Sequence, residues 1–183
     1  VDTPEDPEAV IEQARDTSVK AILITHNHND HLAGFDTVFG VHEVPIHIGT
    51  MDGESLDGKG VTEWIPEGDI KNVGELKIRT IHTPGHTPGS TCYAITTESG
   101  RNTLLLSGDT LFPGGPGRTR SPELFRQEIK SIIDRLFILP ESTLVLPGHG
   151  SDVTIAEAKK EYRVFASKTH EDDLHGDVTW LED

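Results

Sequence analysis

The stretch Thr25-His26-Asn27-His28-Asn29-Asp30-His31 constrains this chain more than any other. It places three imidazoles and a carboxylate within six residues, directly after the aliphatic run Ala21-Ile22-Leu23-Ile24. A short, continuous apolar run that ends in polar residues reads as a buried strand, here over residues 19–24. Imidazole nitrogen and carboxylate oxygen are the donors that a borderline divalent cation such as zinc binds. A tight loop leaving a rigid strand lets His26 and His28 face one metal while Asp30 and His31 face a second. Without a metal such clustering is costly, because close imidazoles repel once protonated. The plain alternative is a solvated turn rich in histidine, and the rest of the chain argues against it.

Three further loops share that layout. Residues 82–90, His82-Thr83-Pro84-Gly85-His86-Thr87-Pro88-Gly89-Ser90, follow a strand over residues 75–81 and are stiffened by Pro and Gly. His86, in the middle of the turn, is the ligand candidate; His82 is packed or supports the ligands from outside. The strand at 103–107 runs into Gly108-Asp109-Thr110. An Asp at a strand end is often a helix cap, but the Gly- and Pro-rich run from Phe112 to Gly117 cannot be a helix, so the ligand reading gains. The strand at 142–146 ends in Pro147-Gly148-His149-Gly150. Strand ends converge on one edge of an α/β sheet, where sites are built. Pooled there, His26, His28, Asp30, His31, His86, Asp109 and His149 would suffice for two metals if one carboxylate bridged them.

The remaining pattern is that of a loop-rich α/β chain. Asp6 and Pro7 open a helix over residues 7–15, and residues 32–39 read as a short helix ended at Gly40. The alternating residues 41–48 read as a strand carrying His42 and His47, neither in a ligand pattern. Residues 51–60 read as an acidic surface loop, and residues 66–69 and 98–102 as turns. Short strands are expected at 69–73 and 91–96. Ser121 and Pro122 start a helix whose buried stripe is Phe125, Ile129, Ile132, Ile133 and Leu136. Thr154 and Glu157 have capping-box spacing for a last helix to about residue 165. Residues 167–183 are expected to be a surface-docked tail anchored by Val178, Trp180 and Leu181.

The length of 183 residues suits one domain, residues 1–183. With 31 acidic against 16 basic residues the net charge is −15, which repels nucleic-acid backbones and anionic lipid. The single Cys92 excludes a disulfide framework and a thiolate cluster, and is expected in the core. No apolar run approaches the roughly 20 residues of a membrane span, and no signal peptide is visible. The default compartment is cytoplasmic.

The motif His26-x-His28-x-Asp30-His31, followed in order by Pro84-Gly85-His86-Thr87, Gly108-Asp109-Thr110 and Pro147-Gly148-His149-Gly150, resembles the metallo-β-lactamase superfamily. The resemblance spans about residues 1–165. It implies an α/β (α+β) fold, a four-layer αββα sandwich with the site at one edge of two sheets. Carried over, it implies that His26, His28 and His86 hold one metal and Asp30, His31 and His149 a second, with Asp109 bridging. Several strands usually precede the first helix in that family. Part of the first sheet is therefore expected to be missing: either the chain is N-terminally incomplete, or the sheet edge is covered another way, for instance by a partner chain such as a second copy in a homo-oligomer.

Gly108-Asp109-Thr110-Leu111-Phe112 with Gly115-Pro116-Gly117-Arg118-Thr119 resembles the glyoxalase II-like branch, which often has Cys where Pro116 stands. The expected function is a binuclear zinc-dependent hydrolase of a thioester or related acyl substrate, a small molecule. The nucleophile would be a metal-bridging hydroxide, with Asp30 and Asp109 catalytic and Arg118 anchoring an anionic substrate group. Iron or manganese are the alternative metals. The alternative functions are a mononuclear iron persulfide dioxygenase, a lactonase or β-lactamase, and a non-catalytic metal-binding domain. The tail is too short for the helical substrate domain of the branch's long members.

Overall fold

The structure, a computed structural model, describes residues 1–56, 63–64, 68, 70–97 and 103–181. Two sheets face each other with helices on their outer surfaces, which is the expected four-layer order. The smaller sheet contains β1 (Ile22–Ile24), β2 (Ile46–Ile48) and β3 (Glu63–Trp64), all parallel and in that order. Helices α1 (Pro7–Ala14) and α3 (Phe35–His42) cover it, and Ile22, Ile24, Ile46 and Ile48 meet Phe35 and Val38 there. The larger sheet takes β4 (Ile70–Val73), β5 (Leu76–His82), β6 (Thr91–Thr97) and β7 (Thr103–Gly108) as an antiparallel meander. Strand β10 (Leu144–Pro147) then lies parallel to β7, with β11 (Val153–Thr154) at the edge. A hairpin of β8 (Leu111–Phe112) and β9 (Gly115–Pro116) stands apart.

The two-residue period of β6 sets the layers. Cys92 and Ala94 point to the outer helices α4 (Pro122–Ser131) and α5 (Ile155–Ala166), where Phe125, Ala158 and Phe165 meet them. Tyr93, between them in sequence, points inward to Leu23, and its hydroxyl donates to the Ile24 carbonyl at 2.7 Å. Ser121 caps α4 through the Leu124 amide, and the Thr154–Glu157 capping box starts α5, both as the sequence predicts. Among the described residues no helix is long and apolar enough to cross a membrane.

Several local expectations are corrected. The strand predicted at 19–24 pairs only over Ile22–Ile24. The helix expected at 32–39 is two helices, α2 (Asn29–Leu32) and α3, and Gly40 does not end the second. Phe35, Val38, Phe39 and His42 keep helical spacing, so burial of that face overrides the helix penalty of glycine, about 1 kcal/mol. The helix stops instead at Glu43, whose φ is +44° and whose N–H donates to the Phe39 carbonyl. The strand expected at 41–48 thus shrinks to Ile46–Ile48. Residues 51–56 are not a surface loop: Gly53–Leu56 form a 3₁₀ turn, and Asp52 and Leu56 are buried. Ile133 leaves the buried stripe because residues Ile132–Leu136 form a π turn, which adds a residue to the helical repeat and keeps Ile132 and Leu136 inside. In the tail, Val178 and Trp180 are buried as expected, but Leu181 is exposed. Residues 57–60 of the acidic loop and the turn at 98–102 lie outside the described residues, as does most of the turn at 66–69.

Candidate metal centre

The ends of β1, β5, β7 and β10 open on one edge, and all seven side chains singled out in the sequence meet there. His26 leaves β1 and is buried. His28 is the N-cap position of α2, so Asp30 and His31 fall in its first turn and project back over His26. Asp109 follows Gly108, whose φ is +49° and where a Cβ would lie 2.5 Å from Thr25 Oγ1. Only glycine lets the Asp109 loop lie against the histidine loop. The Gly148 amide donates to the Gly108 carbonyl at 2.9 Å, which brings His149 beside Asp109.

Three donor sets form, each with its ligand atoms within 4.8 Å of one another: His26, His28 and His86; His26, His31 and Asp109; Asp30, His31 and His149. His86 Nε2 stands 3.0 Å from His28 Nδ1, and His31 Nε2 3.3 Å from His149 Nε2. His149 Nε2 is 3.0 Å from Asp30 Oδ2. Asp109 lies between the sets, with Oδ2 3.7 Å from His86 Nε2 and 3.8 Å from His149 Nε2. Among the described residues His26 Nε2 and Asp109 Oδ1 are buried without a hydrogen-bond partner of good geometry, although His31 Nε2 stands 3.3 Å from Asp109 Oδ1. A buried acceptor without a partner costs about 1–3 kcal/mol, and several ring nitrogens converging on one space satisfy each other poorly. A Cβ added to Gly148 would sit 2.5 Å from both Asp109 Oδ1 and His31 Cε1, so glycine leaves room for an ion there. The residues fit a metal.

The far side of each ring decides which nitrogen faces inward. Thr25 Oγ1 is 3.0 Å from His26 Nδ1, Asp2 Oδ2 is 2.9 Å from His31 Nδ1, and the Arg118 carbonyl accepts from His86 Nδ1 at 2.8 Å. Burial, then the neighbouring rings of His31 and His86, pushes the His26 pKa down to about 2. Burial, then His86 and Arg120, lowers that of His28. Burial also opposes a charge on His31, but Asp109 and Asp2 outweigh it and raise its pKa to about 10. Asp109 is held below the ordinary carboxylate range because His31 outweighs its burial.

Sequence reasoning missed the braces. Asp2 accepts from the Thr25 amide and hydroxyl as well as facing His31. Asp52 accepts from the Asn27 amide at 3.2 Å, the Thr87 hydroxyl at 2.6 Å and the Gly89 amide at 2.8 Å. It thereby ties the first histidine loop to the His86 loop. No local pattern marks either carboxylate, since each acts across more than 20 residues. Arg118 lines the mouth of the centre, its guanidinium exposed and 3.5 Å from Asp177. His82 stands outside the donor sets and bonds the Pro88 carbonyl at 2.8 Å, which stiffens its own loop. His42 ends α3 and His47 lies in β2, outside the donor sets.

Clustered His and Asp donors at one edge of a mixed α/β sandwich define a metal-binding class of site. The sequence model of the metallo-beta-lactamase superfamily matches residues 3–149, and the chain belongs to that superfamily. It is 37% identical over 155 residues to the probable metallo-hydrolase YqgX of Bacillus subtilis, covering 74% of this chain and 70% of that protein. It is 33% identical over 150 residues to the cytoplasmic hydroxyacylglutathione hydrolase of Arabidopsis thaliana, covering 80% and 56%. Among solved structures, ETHE1 from Myxococcus xanthus superposes with a TM-score of 0.72 at 27% identity, covering 91% of this chain and 73% of that one.

Proposed function

We propose that the chain is a binuclear metal-dependent hydrolase, zinc being the expected metal, that cleaves a thioester or a related acyl ester. His26, His28 and His86 would hold one ion and Asp30, His31 and His149 the other, with Asp109 placed between the two. The observation that carries this reading is the position of Asp109, between two donor sets that meet at His26 and His31. Likeness to a hydroxyacylglutathione hydrolase supports the thioester class.

A bound metal pair supplies a water of lowered pKa and a Lewis acid for the carbonyl oxygen. The chain's own residues prepare that chemistry. Asp2 and Thr25 fix the rings of His31 and His26 so that Nε2 of each faces the centre. Asp109, largely shielded, holds its charge against burial and sets the spacing of the two donor sets. Asp30 is half exposed at the open side. There its carboxylate can accept a proton from the water and return it to the leaving group. No thiol nucleophile serves the site: Cys92 is fully buried on the helix side of β6, and burial pushes its pKa up to about 11.

Elemental analysis of protein purified without chelator tests the reading. About two zinc ions per chain, with hydrolysis in a thioester, lactone and β-lactam panel, is the expected result. About one iron would favour the oxygenase alternative. Hydrolysis of every cognate ester left unchanged by His26→Ala or Asp109→Ala would refute the proposal.

A further inference from the structure

Among the clefts that open on the metal centre, two differ in chemistry. One, of about 510 Å³, runs between the β8–β9 hairpin and the tail; Phe112, Pro113, Pro116, Val178 and Leu181 give it an apolar lining. The other, of about 440 Å³, opens on the His28 side and is lined by Arg118, Arg120 and His175. His86 and Arg118 line both, so the clefts meet over the first donor set. The tail builds the second cleft by bonding to it: the Thr119 amide donates to the Gly176 carbonyl and the Gly176 amide to the Thr119 carbonyl. His175, next to Gly176, thereby lines the same cleft as Arg120.

The charge is out of keeping with the rest of the molecule. Among the described residues the exposed Arg15, Arg118 and Arg126 each pair with a carboxylate, whereas Arg120 and Arg163 do not. Arg118 has Asp177 at 3.5 Å. Arg120 is exposed and has no ion-pair or hydrogen-bond partner among the described residues, and it lines the same cleft as His28. An exposed guanidinium is satisfied by water, but beside a centre that gathers cations it adds to a local positive field that attracts an anion. Guanidinium is also the side chain best shaped for a carboxylate.

We propose that Arg120, with His175, forms an anion subsite that selects substrates in which a carboxylate arm and an apolar arm flank the scissile acyl group. This deepens the hydrolase reading and rests on it. Arg120 does not touch the reacting atoms; it is a specificity residue.

The test uses two matched pairs of probes on metal-loaded wild type, Arg120→Ala and Arg120→Glu. The first pair is S-butanoyl-3-sulfanylpropanoate and its primary amide, whose hydrolysis is compared. The second is the uncleavable thioether 3-(butylsulfanyl)propanoate and its amide, whose binding is followed by NMR titration at low and high salt. Wild type should favour the carboxylate member about 10- to 100-fold, the factor one charge-assisted hydrogen bond gives. Arg120→Ala should collapse that ratio, Arg120→Glu should reverse it, and salt should weaken only the anionic member. A thioether preference that survives Arg120→Ala would assign the carboxylate to the metals and overturn the subsite. An equal response to both members in wild type would overturn it as well. Thioether discrimination without hydrolysis of either thioester would leave the subsite standing and fell the hydrolase reading alone.

Discussion

Replacing Asp52 with alanine should loosen the first donor set while the chain still folds. The carboxylate is 1% exposed, and it accepts from the Asn27 amide, the Gly89 amide and the Thr87 hydroxyl. The Thr87 hydroxyl keeps a second partner in Ser90 Oγ at 2.7 Å, so its loss is partial. The two amides lose the acceptors shown here, and at about 1–3 kcal/mol for each buried donor the cost is about 2–6 kcal/mol. Against a typical stability of about 5–15 kcal/mol this is severe without being fatal. Its location gives the test its edge. Asn27 stands between His26 and His28, and Thr87 follows His86, so Asp52 sets the spacing of the three imidazoles that form the first donor set. Removing such a supporting partner typically lowers metal affinity about 10- to 100-fold. Competition with a chromophoric chelator, read as two binding steps, should show one step weakened and the other nearly unmoved. Chemical denaturation of the metal-free protein gives the stability term separately. First-step affinity within twofold of wild type, or selective loss of the second step, would refute the argument.

Two further outcomes follow from the geometry. Gly148→Ala puts a methyl group about where Asp109 Oδ1 and His31 converge, so metal content should fall to about one ion per chain; two retained ions would refute it. Glu128 is fully buried on α4, both its oxygens lack a hydrogen-bond partner, and burial, opposed in part by Gly117, raises its pKa well above the ordinary carboxyl value. Its proton is retained in the folded chain and lost in the unfolded one once pH passes about 4.3. Its contribution to stability is therefore fully present below that value. It falls by about 1.4 kcal/mol per pH unit above it, until the raised folded value is reached. Glu128→Gln cannot ionise in either state, so in the metal-free protein the variant should gain on wild type as pH rises from 4.5 to 7. Denaturant melts across that range, compared between the two proteins, check this; parallel curves would show that Glu128 is ionised in the fold.

The convergence of the seven side chains was legible in the sequence because each sits where an apolar run breaks into Gly, Pro or Asn, and that break marks a strand end. The helices with caps at Ser121 and Thr154 were legible for the same reason: a local side chain terminates them. What was not legible depends on contacts distant in sequence. Helix α3 read as part helix and part strand because Gly40 looks like a stop, and only burial of Phe35 and Val38 against β1 and β2 carries the helix past it. Asp52 read as one acid in an acidic surface loop, and nothing nearby says that Gly89 and Thr87 fold over it. Glu128 hides among polar neighbours on a helix whose charged residues otherwise face water.

The two braces, Asp52 buried and Asp2 partly so, explain how loops reach a precision usually left to regular elements. Asp2 reaches His31, which belongs to the second donor set, and Asp52 spans the two loops of the first. Asp52 therefore serves the first position, whereas Asp2 braces His31 directly and His26 through Thr25. A surface acid in this chain is one of many and does little individually. These two differ because burial makes every bond they accept costly to break. The positions should consequently be separable, with Asp52→Ala acting on one and Gly148→Ala on the other. Asp109, the one acid that faces both, is the residue through which they must be coupled. Loss of both binding steps together should be the mark of Asp109 alone, and that asymmetry follows from where the three carboxylates stand.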